Sequence, residues 1–316
     1  MNKKLKIKFV DFWTDMNKSE NNYFYELLSQ KYELEFADHP DVLFYSCYSN
    51  NYLKYKCKRI FYSAENIQPD FTACDYAITF AYLVNPRHLR FPSFGMYCNP
   101  HDLIQKNDRE YYKNEWKKKS KFCCLVVSNP NANERIDFFY KLSKYKAVDS
   151  GGKWNNNIGF DIGPTHQNKL DFIKDYKFVI SFENSSYNGY VTEKIIGPLM
   201  VNSIPIYWGN PIVYKDINEK RIINSHSFND FEAVIKKIIE LDKNDALAID
   251  VLCQPIFNDN IIPSQINPEN VLEFLIECIE EKKIPVSKTI IGYINYYNKK
   301  IKTLILRSTN FIKATL

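Results

Sequence analysis

Two periods of apolar spacing recur along the chain. Short blocks such as FVISF (Phe178–Phe182) are almost wholly apolar, and between them lie longer stretches whose apolar residues return every three or four positions. The first pattern reads as a strand buried on both faces, the second as a helix lying on a sheet. On this basis Lys6–Trp13, Val42–Tyr48, Lys58–Asn66 and Tyr76–Leu83 are strands, and Ser19–Tyr32 is a helix capped by Ser19. The charged stretch Lys106–Lys121 reads as a linker or a connecting helix. A second series then opens with KFCCLVV, followed by a loop at Ser128–Asn131 and a helix at Asn133–Tyr145 that carries Ile136, Phe139, Tyr140 and Leu142 on one side. KAVDSGG, KFVISFEN and SIPIYWGNP continue it as strands. GPTHQNKLDFIKDY, TEKIIGPLMV and NDFEAVIKKIIELDK alternate with them as helices. Such βα alternation predicts an α/β protein with two domains meeting near residue 118 and a ligand cleft between them.

Composition narrows the choices. A chain of 316 residues with 45% hydrophobic and 25% charged residues fits two soluble domains. The net charge of +5 sits at one end: Lys288–Leu316 holds six Lys or Arg and no Asp or Glu, while the remaining 36 basic residues face 37 acidic ones. The body therefore lacks a basic field for nucleic acid. The tail reads either as an amphipathic helix on an anionic membrane face or as a helix packed on the body with a solvated lysine face. Eight cysteines without a CxxC pair point to buried thiols and a reducing compartment. Five scattered His argue against zinc. No apolar run is long enough to span a bilayer, and the basic N-terminus leads into a strand rather than a signal peptide. G-x-G-x-x-G and Walker A patterns are missing, which leaves dinucleotide cofactors and nucleoside triphosphate hydrolysis without support.

The candidate chemistry lies in FENSSYNGYVTEKI, after the strand ending at Phe182. Ligands of open α/β sheets bind beyond the carboxyl ends of strands. Thr192 is placed to cap the next helix, whose free N–H groups attract phosphate, and Lys194 adds a full charge. Glu193 would repel phosphate but accept from hydroxyls. The pair suits a nucleotide sugar, and it equally suits ordinary capping of a helix N-terminus. Ile195, Ile196, Leu199 and Met200 form the buried face, with Pro198 a potential kink.

This segment, with the IPIYWG that follows, resembles the donor-binding motif of the α-1,3/α-1,4-fucosyltransferases, glycosyltransferase family 10, most closely their bacterial, Helicobacter-type members. FYSAENIQPDF (Phe61–Phe71), SNPNANERIDFFYKL (Ser128–Leu142) and VDSGGKWNNNIG (Val148–Gly159) also match, so the similarity runs from about Phe61 to Lys237. The resemblance implies a GT-B fold of two Rossmann-like domains facing a central cleft. Residues 1–118 would bind the acceptor, 119–283 the GDP-sugar, and 284–316 would form a basic amphipathic tail. It implies inverting transfer of fucose from GDP-fucose to the GlcNAc or glucose of a β-galactoside such as N-acetyllactosamine or lactose, in an α-1,3 linkage. Another GDP-sugar such as GDP-mannose, or an inactive glycan-binding homologue, are the alternatives. No metal is required, and stimulation by a divalent cation stays open. The implied setting is cytoplasmic, with peripheral contact to the inner face of a bacterial inner membrane through the tail.

By the same resemblance Glu65 is the base that deprotonates the acceptor hydroxyl, the residues alone allowing it to cap the following turn instead. Arg135 and Lys194 correspond to the cations at the diphosphate, although Arg135 could equally be a surface residue paired with Glu134 or Asp137. Glu193 corresponds to the carboxylate that takes sugar hydroxyls. Asn184 and Tyr190 correspond to donor contacts, Ser128 and Asn129 to nucleotide or diphosphate contacts, and Gly152 to a close approach of backbone to nucleotide. Glu183 is expected to support the loop or help balance charge rather than to act as the primary base.

Overall fold

The computed structural model describes residues 3–13 and 22–315, with side chains through residue 302. In chain order the elements are β1 (Lys3–Val10), α1 (Tyr23–Ser29), β2 (Tyr32–Phe36), β3 (Val42–Tyr45), β4 (Lys58–Ser63), β5 (Tyr76–Thr79), β6 (His88–Arg90), α2 (Arg109–Lys118), β7 (Lys121–Leu125) and α3 (Asn133–Ser143). β8 (Val148–Ser150), α4 (His166–Ile173), β9 (Tyr176–Phe182), α5 (Glu193–Met200), β10 (Ile204–Trp208), β11 (Ile223–Asn224), α6 (Phe231–Lys243), α7 (Asp245–Leu252), α8 (Pro268–Glu280) and α9 (Ile290–Thr315) follow. Two compact units result: one of Met1–Thr79, Leu83–Phe91 and Pro268–Leu316, the other of Phe80–Tyr82 and Pro92–Asn267.

The first unit is a parallel sheet in the order β2-β1-β3-β4-β5-β6. Alternation along β1 buries Leu5, Ile7 and Phe9 on one face. There Phe9 stacks on Phe44 at 5.0 Å, and Phe44 on Phe24 of α1 at 5.4 Å. α1 is shorter than the Ser19–Tyr32 pattern predicts. Asn22 caps it by accepting from the Phe24 N–H, and Tyr32 already belongs to β2. Ser19 lies outside the described residues. β2 and β6 are not among the expected strands: YELEF does alternate as a half-buried strand does, but its Tyr32 is counted in the predicted helix, and HLR is too short for a period to show.

The units divide the chain differently from the expected boundary at 118, for identifiable reasons. Trp116 of α2 is buried in the second unit's core, edge-on to Phe178 at 5.9 Å, and its Nε1 donates to Asp245 at 2.7 Å. The charged stretch is thus a packed helix. At the other end, the buried Lys58 ammonium of β4 donates to the carbonyls of Cys278, Ile279 and Glu281, which end α8. That satisfies orphan helix carbonyls with a cation and ties α8 to the first sheet.

One pH response follows from this unit. His88 Nε2 lies 2.9 Å from Thr79 Oγ1, while Nδ1 is buried without a partner. Burial, then the charge of Arg90, push its pKa from 6.5 down to about 4. Protonation therefore favours the unfolded chain, so this contribution is full above pH 6.5 and is lost as the pH falls toward about 4. Urea midpoints across that range should fall more steeply for the wild type than for His88→Asn.

The second unit is a five-stranded parallel sheet in the order β11-β10-β9-β7-β8. The chain steps from β7 to β8 on one side and then from β8 back past β7 to β9 on the other. The carboxyl ends of β7, β8 and β9 therefore surround a topological switch point. Cys123 and Cys124 pack here as small hydrophobes, and all eight cysteines are free thiols. The buried face of α3 is Arg135, Phe138, Phe139 and Leu142. The face expected from sequence is corrected in two places: Ile136 is only half-buried and Tyr140 is exposed, because Phe138 turns inward to meet Phe182 at 4.8 Å. α5 accommodates Pro198 without interruption, and the Pro198 carbonyl accepts from the Ser203 N–H at 2.9 Å just past the helix end.

Candidate active site

A cavity of about 770 Å³ opens at the switch point of the second unit. Its walls come from the loop after β7, the glycines after β8, Asn184 after β9 and the first turns of α3, α4 and α5. Ser128, Asn129, Arg135, Gly152, Asn184, Glu193 and Lys194 all line it. Seven residues dispersed over 67 positions of sequence meet because each follows the carboxyl end of a neighbouring strand or opens the next helix.

The loop after β7 is closed by Asn129, whose Oδ1 accepts from the Asn131 N–H at 2.9 Å. Gly152 runs against that loop. A Cβ at this position would lie 2.0 Å from the Val127 carbonyl oxygen and 2.5 Å from its nitrogen. Gly152→Ala is accordingly expected to lower both the melting temperature and nucleotide affinity, read by thermal melt and titration with GDP. Unchanged values would mean the two loops can part without cost. The asparagines of KWNNNIG have structural work. Asn157 accepts from the Ser150 N–H at 2.7 Å and donates to the Val148 carbonyl at 3.0 Å, and Asn156 organises the following turn while lining the cavity.

Arg135 is not a surface residue: it is 1% exposed. Its Nη2 donates to the Phe182 carbonyl at 2.9 Å and to Asn184 Oδ1 at 2.8 Å, and Nε donates to the same carbonyl at 3.2 Å. Nη1 is buried with no partner. A guanidinium held rigidly by its other nitrogens, with one donor left over at a cavity wall, is prepared for an acceptor.

Glu183, fully buried, accepts from the Thr192 N–H and hydroxyl, both at 2.7 Å, and from Lys194 at 3.3 Å. It thereby fixes the start of α5. Burial pushes its pKa up, against the pull of Lys194. Lys194 Nζ also lies 3.4 Å from Glu193. Burial works against the Lys194 charge, but Glu193 and Glu183 outweigh it and raise its pKa. For Glu193 burial likewise raises the pKa, yet Lys194 and Lys169 prevail and hold it at about 2. Gly189, at φ +87°, presses the preceding loop against the Phe80 carbonyl, and Tyr190 is buried edge-on to Phe80 at 5.4 Å. Tyr190 is absent from the cavity lining, so its place is behind the wall, near Lys194 and Arg135.

Glu65 stands in the first unit, in the turn after β4. The turn is closed by backbone and by Ser63, whose Oγ accepts from the Glu65 N–H at 3.1 Å, and by the Ile67 N–H donating to the Glu65 carbonyl at 2.7 Å. The carboxylate is left to accept from the Tyr48 hydroxyl at 2.8 Å, so it does not cap the turn.

Sequence reasoning missed His166, Lys169 and Tyr97, which also line the cavity. The available signal was Thr165-x-x-Asn168, which forms a capping box and turns positions 166 and 169 to one side of α4. Among the described residues no cluster of His, Cys, Asp or Glu could hold a metal ion.

Residues 7–97 match the "Alpha-(1,3)-fucosyltransferase FucT N-terminal domain", and residues 116–249 match "Glycosyltransferase family 10 (fucosyltransferase) C-term". The chain is 32% identical over 295 residues to the alpha-(1,3)-fucosyltransferase FucT of Helicobacter pylori, covering 80% of this chain and 60% of that relative's length. Crystal structures of an alpha1,3-fucosyltransferase superpose with a TM-score of 0.73 for the GDP-fucose form and 0.76 for another. Their identities are 28% and 29%, with 90% of this chain and 93% and 92% of those chains covered. The two Rossmann-like units are thus those of a GT-B fold.

Proposed function

The chain belongs to glycosyltransferase family 10, the fucosyltransferases, and on that premise we propose that it transfers L-fucose from GDP-β-L-fucose, with inversion, to a GlcNAc or glucose hydroxyl of a β-galactoside glycan, forming an α-1,3 linkage. The observation that carries this reading is Arg135, a buried guanidinium with an unpartnered Nη1, which lines a cavity of about 770 Å³ at a sheet switch point. Arg135 Nη1 and Lys194 take oxygens of the diphosphate, and the N–H groups at the start of α5 add to them. Negative charge grows on these oxygens as the sugar–phosphate bond breaks, so donors fixed in advance stabilise the transition state more than the ground state. Glu193, ionised at any physiological pH, accepts from sugar hydroxyls. Ser128, Asn129, Gly152 and Asn184 shape the nucleotide side, and Tyr190 packs behind them. Glu65 takes the proton of the attacking hydroxyl. The fixed cations do the work that a metal ion does in other transferases.

The test is incubation with GDP-fucose and lactose, N-acetyllactosamine or its type 1 isomer, followed by GDP release and product linkage analysis. An α-1,3-fucosylated product is expected. Turnover with GDP-mannose in place of GDP-fucose would change the donor, and binding without turnover would mark an inactive glycan-binding homologue.

For the setting, we read α9 as a peripheral membrane contact at the cytoplasmic face of a bacterial inner membrane. Its inner side is docked: Lys299 donates to the Tyr52 hydroxyl at 2.6 Å and Asn295 to Thr72 at 2.7 Å. Ile290, Ile294, Tyr297 and Ile301 stand on the opposite side, each more than half exposed. Side chains beyond 302 lie outside the described residues, and among the described residues no helix is long and apolar enough to cross a membrane. Sedimentation with anionic vesicles should carry the wild-type chain down and leave an Ile294→Asp/Tyr297→Asp variant in solution. Equal partition would refute the contact.

A further inference from the structure

Charge counting at the donor cavity leaves a deficit that the two expected cations do not meet. Arg135 and Lys194 supply two positive charges, and Lys194 is already within 3.4 Å of two carboxylates, Glu183 and Glu193. Those four groups together are neutral, and two further charged residues of the lining, Lys153 and Asp161, cancel each other. A diphosphate brought beside them would meet no net positive charge, the attraction of the two cations being offset by the two carboxylates. The cavity holds a further cation that the mechanism has not used. Lys169, on the first turn of α4, lines the same wall. Among the described residues it has no carboxylate within salt-bridge distance and no side-chain hydrogen bond. It is close enough to Glu193 and Lys194 for each to act on its charge, and burial lowers its pKa. Three residues earlier, His166 turns to the same cavity with Nε2 buried and unpartnered. Burial, then the neighbouring Lys169, lower the pKa of that imidazole against the pull of Glu193.

α4 is held in place independently of any ligand. Thr165 and Asn168 exchange hydrogen bonds at its cap, and Leu170 and Ile173 are buried in the unit's second apolar cluster. Its first turn therefore presents an unneutralised ammonium at a fixed point of the wall. A half-buried lysine with no carboxylate in contact is partly desolvated without compensation, and an anionic ligand supplies it.

We propose that Lys169 is the third cation of the donor site, contacting a phosphate oxygen of the bound nucleoside diphosphate and giving the pocket its net positive charge. The assignment rests on the donor-site reading above, in which this cavity takes a nucleoside diphosphate sugar. It predicts recognition of the diphosphate rather than of the base.

The full chain and its K169M and K169R variants should be titrated with GDP, with guanosine and with inorganic pyrophosphate, at two salt concentrations. K169M is expected to weaken GDP and pyrophosphate by about 10- to 100-fold, the range for a lost charged hydrogen bond, while guanosine affinity stays unchanged. Its GDP affinity should depend less on salt, and K169R should recover most of the loss. In turnover, K169M should raise KM for GDP-fucose and also lower kcat, because the leaving diphosphate gains charge. A K169M protein that melts like the wild type and binds GDP equally well overturns the proposal. So does an equal loss of guanosine and GDP, which would assign Lys169 a structural role. If the wild type transfers no fucose but binds another nucleoside diphosphate such as UDP, the donor assignment fails while the same three titrations with UDP and uridine still decide the role of Lys169.

Discussion

Glu65→Gln is expected to reduce kcat by about 10²- to 10⁴-fold, the span typical of a lost general base. Gln has nearly the shape of Glu, and its amide oxygen can still accept from the Tyr48 hydroxyl, which now reaches Glu65 Oε1 at 2.8 Å. The turn after β4 is closed by backbone and Ser63, not by the carboxylate, so folding and melting temperature should stay as they are. GDP affinity should also be unchanged, since the donor cavity is built wholly from the other unit. The expected signature is thus a fall in kcat at constant donor affinity, with donor hydrolysis less affected than transfer to sugar. Wild-type turnover in E65Q would assign the proton to another group.

The second large effect is expected at Lys194, where stability and binding are lost together. Glu183 is fully buried, and Lys194 is its charge partner at 3.3 Å. Lys194→Ala leaves that carboxylate and Glu193 without a cation in contact, a change worth about 3–5 kcal/mol when one partner of a buried pair is removed. The remaining donors to Glu183, the Thr192 N–H and hydroxyl, satisfy its geometry but not its charge. Urea denaturation should show the loss, and titration with GDP should show binding falling further than unfolding explains. The double variant Glu183→Gln/Lys194→Met separates the two roles. Removing both charges should return much of the stability and none of the GDP affinity. If the double variant binds GDP like the wild type, Lys194 serves only to neutralise Glu183.

The same arrangement explains why Glu183 and Glu193 diverge although both sit beside Lys194. Glu183 lies beneath α5 and is turned toward Thr192, so burial dominates and its pKa rises. Glu193 stands at the cavity wall where Lys194 and Lys169 both act on it, and it is held at about 2. One carboxylate fixes the loop and the other stays charged toward the ligand. This division is the one expected from the sequence, with Glu183 at the loop and Glu193 toward sugar hydroxyls, and the tertiary structure supplies its electrostatic cause.

Strand and helix content was legible wherever the period ran over enough residues. FVISF and IPIYW announce buried parallel strands because both of their faces are covered, and NDFEAVIKKIIELDK shows one apolar stripe. β2 and β6 escaped because the first residue of one is counted in the preceding helix and the other spans three residues. α3 shows the limit from the other side: its apolar positions marked a helix correctly, but whether Phe138 or Tyr140 turned inward depended on Phe182 across the sheet. At the site, motif residues after strand ends could be named because parallel sheets place ligands there. Lys169 and His166 could not: the capping box Thr165-x-x-Asn168 puts them on one side of a helix, but does not decide whether that side faces a cavity or water.

From the sequence alone came the α/β class, the two-domain division in outline, the family resemblance and the residues of the FENSSYNGYVTEKI segment, all of which are encoded in short-range pattern. Tertiary structure decided which unit α2 and α8 join, through Trp116 and Lys58. It decided that Arg135 is buried with one donor to spare, and that the buried Glu183 and the half-buried Glu193 offset the expected cations. Charge balance and burial depend on every element that surrounds a group, and those elements meet only when the sheet orders of both units are in place.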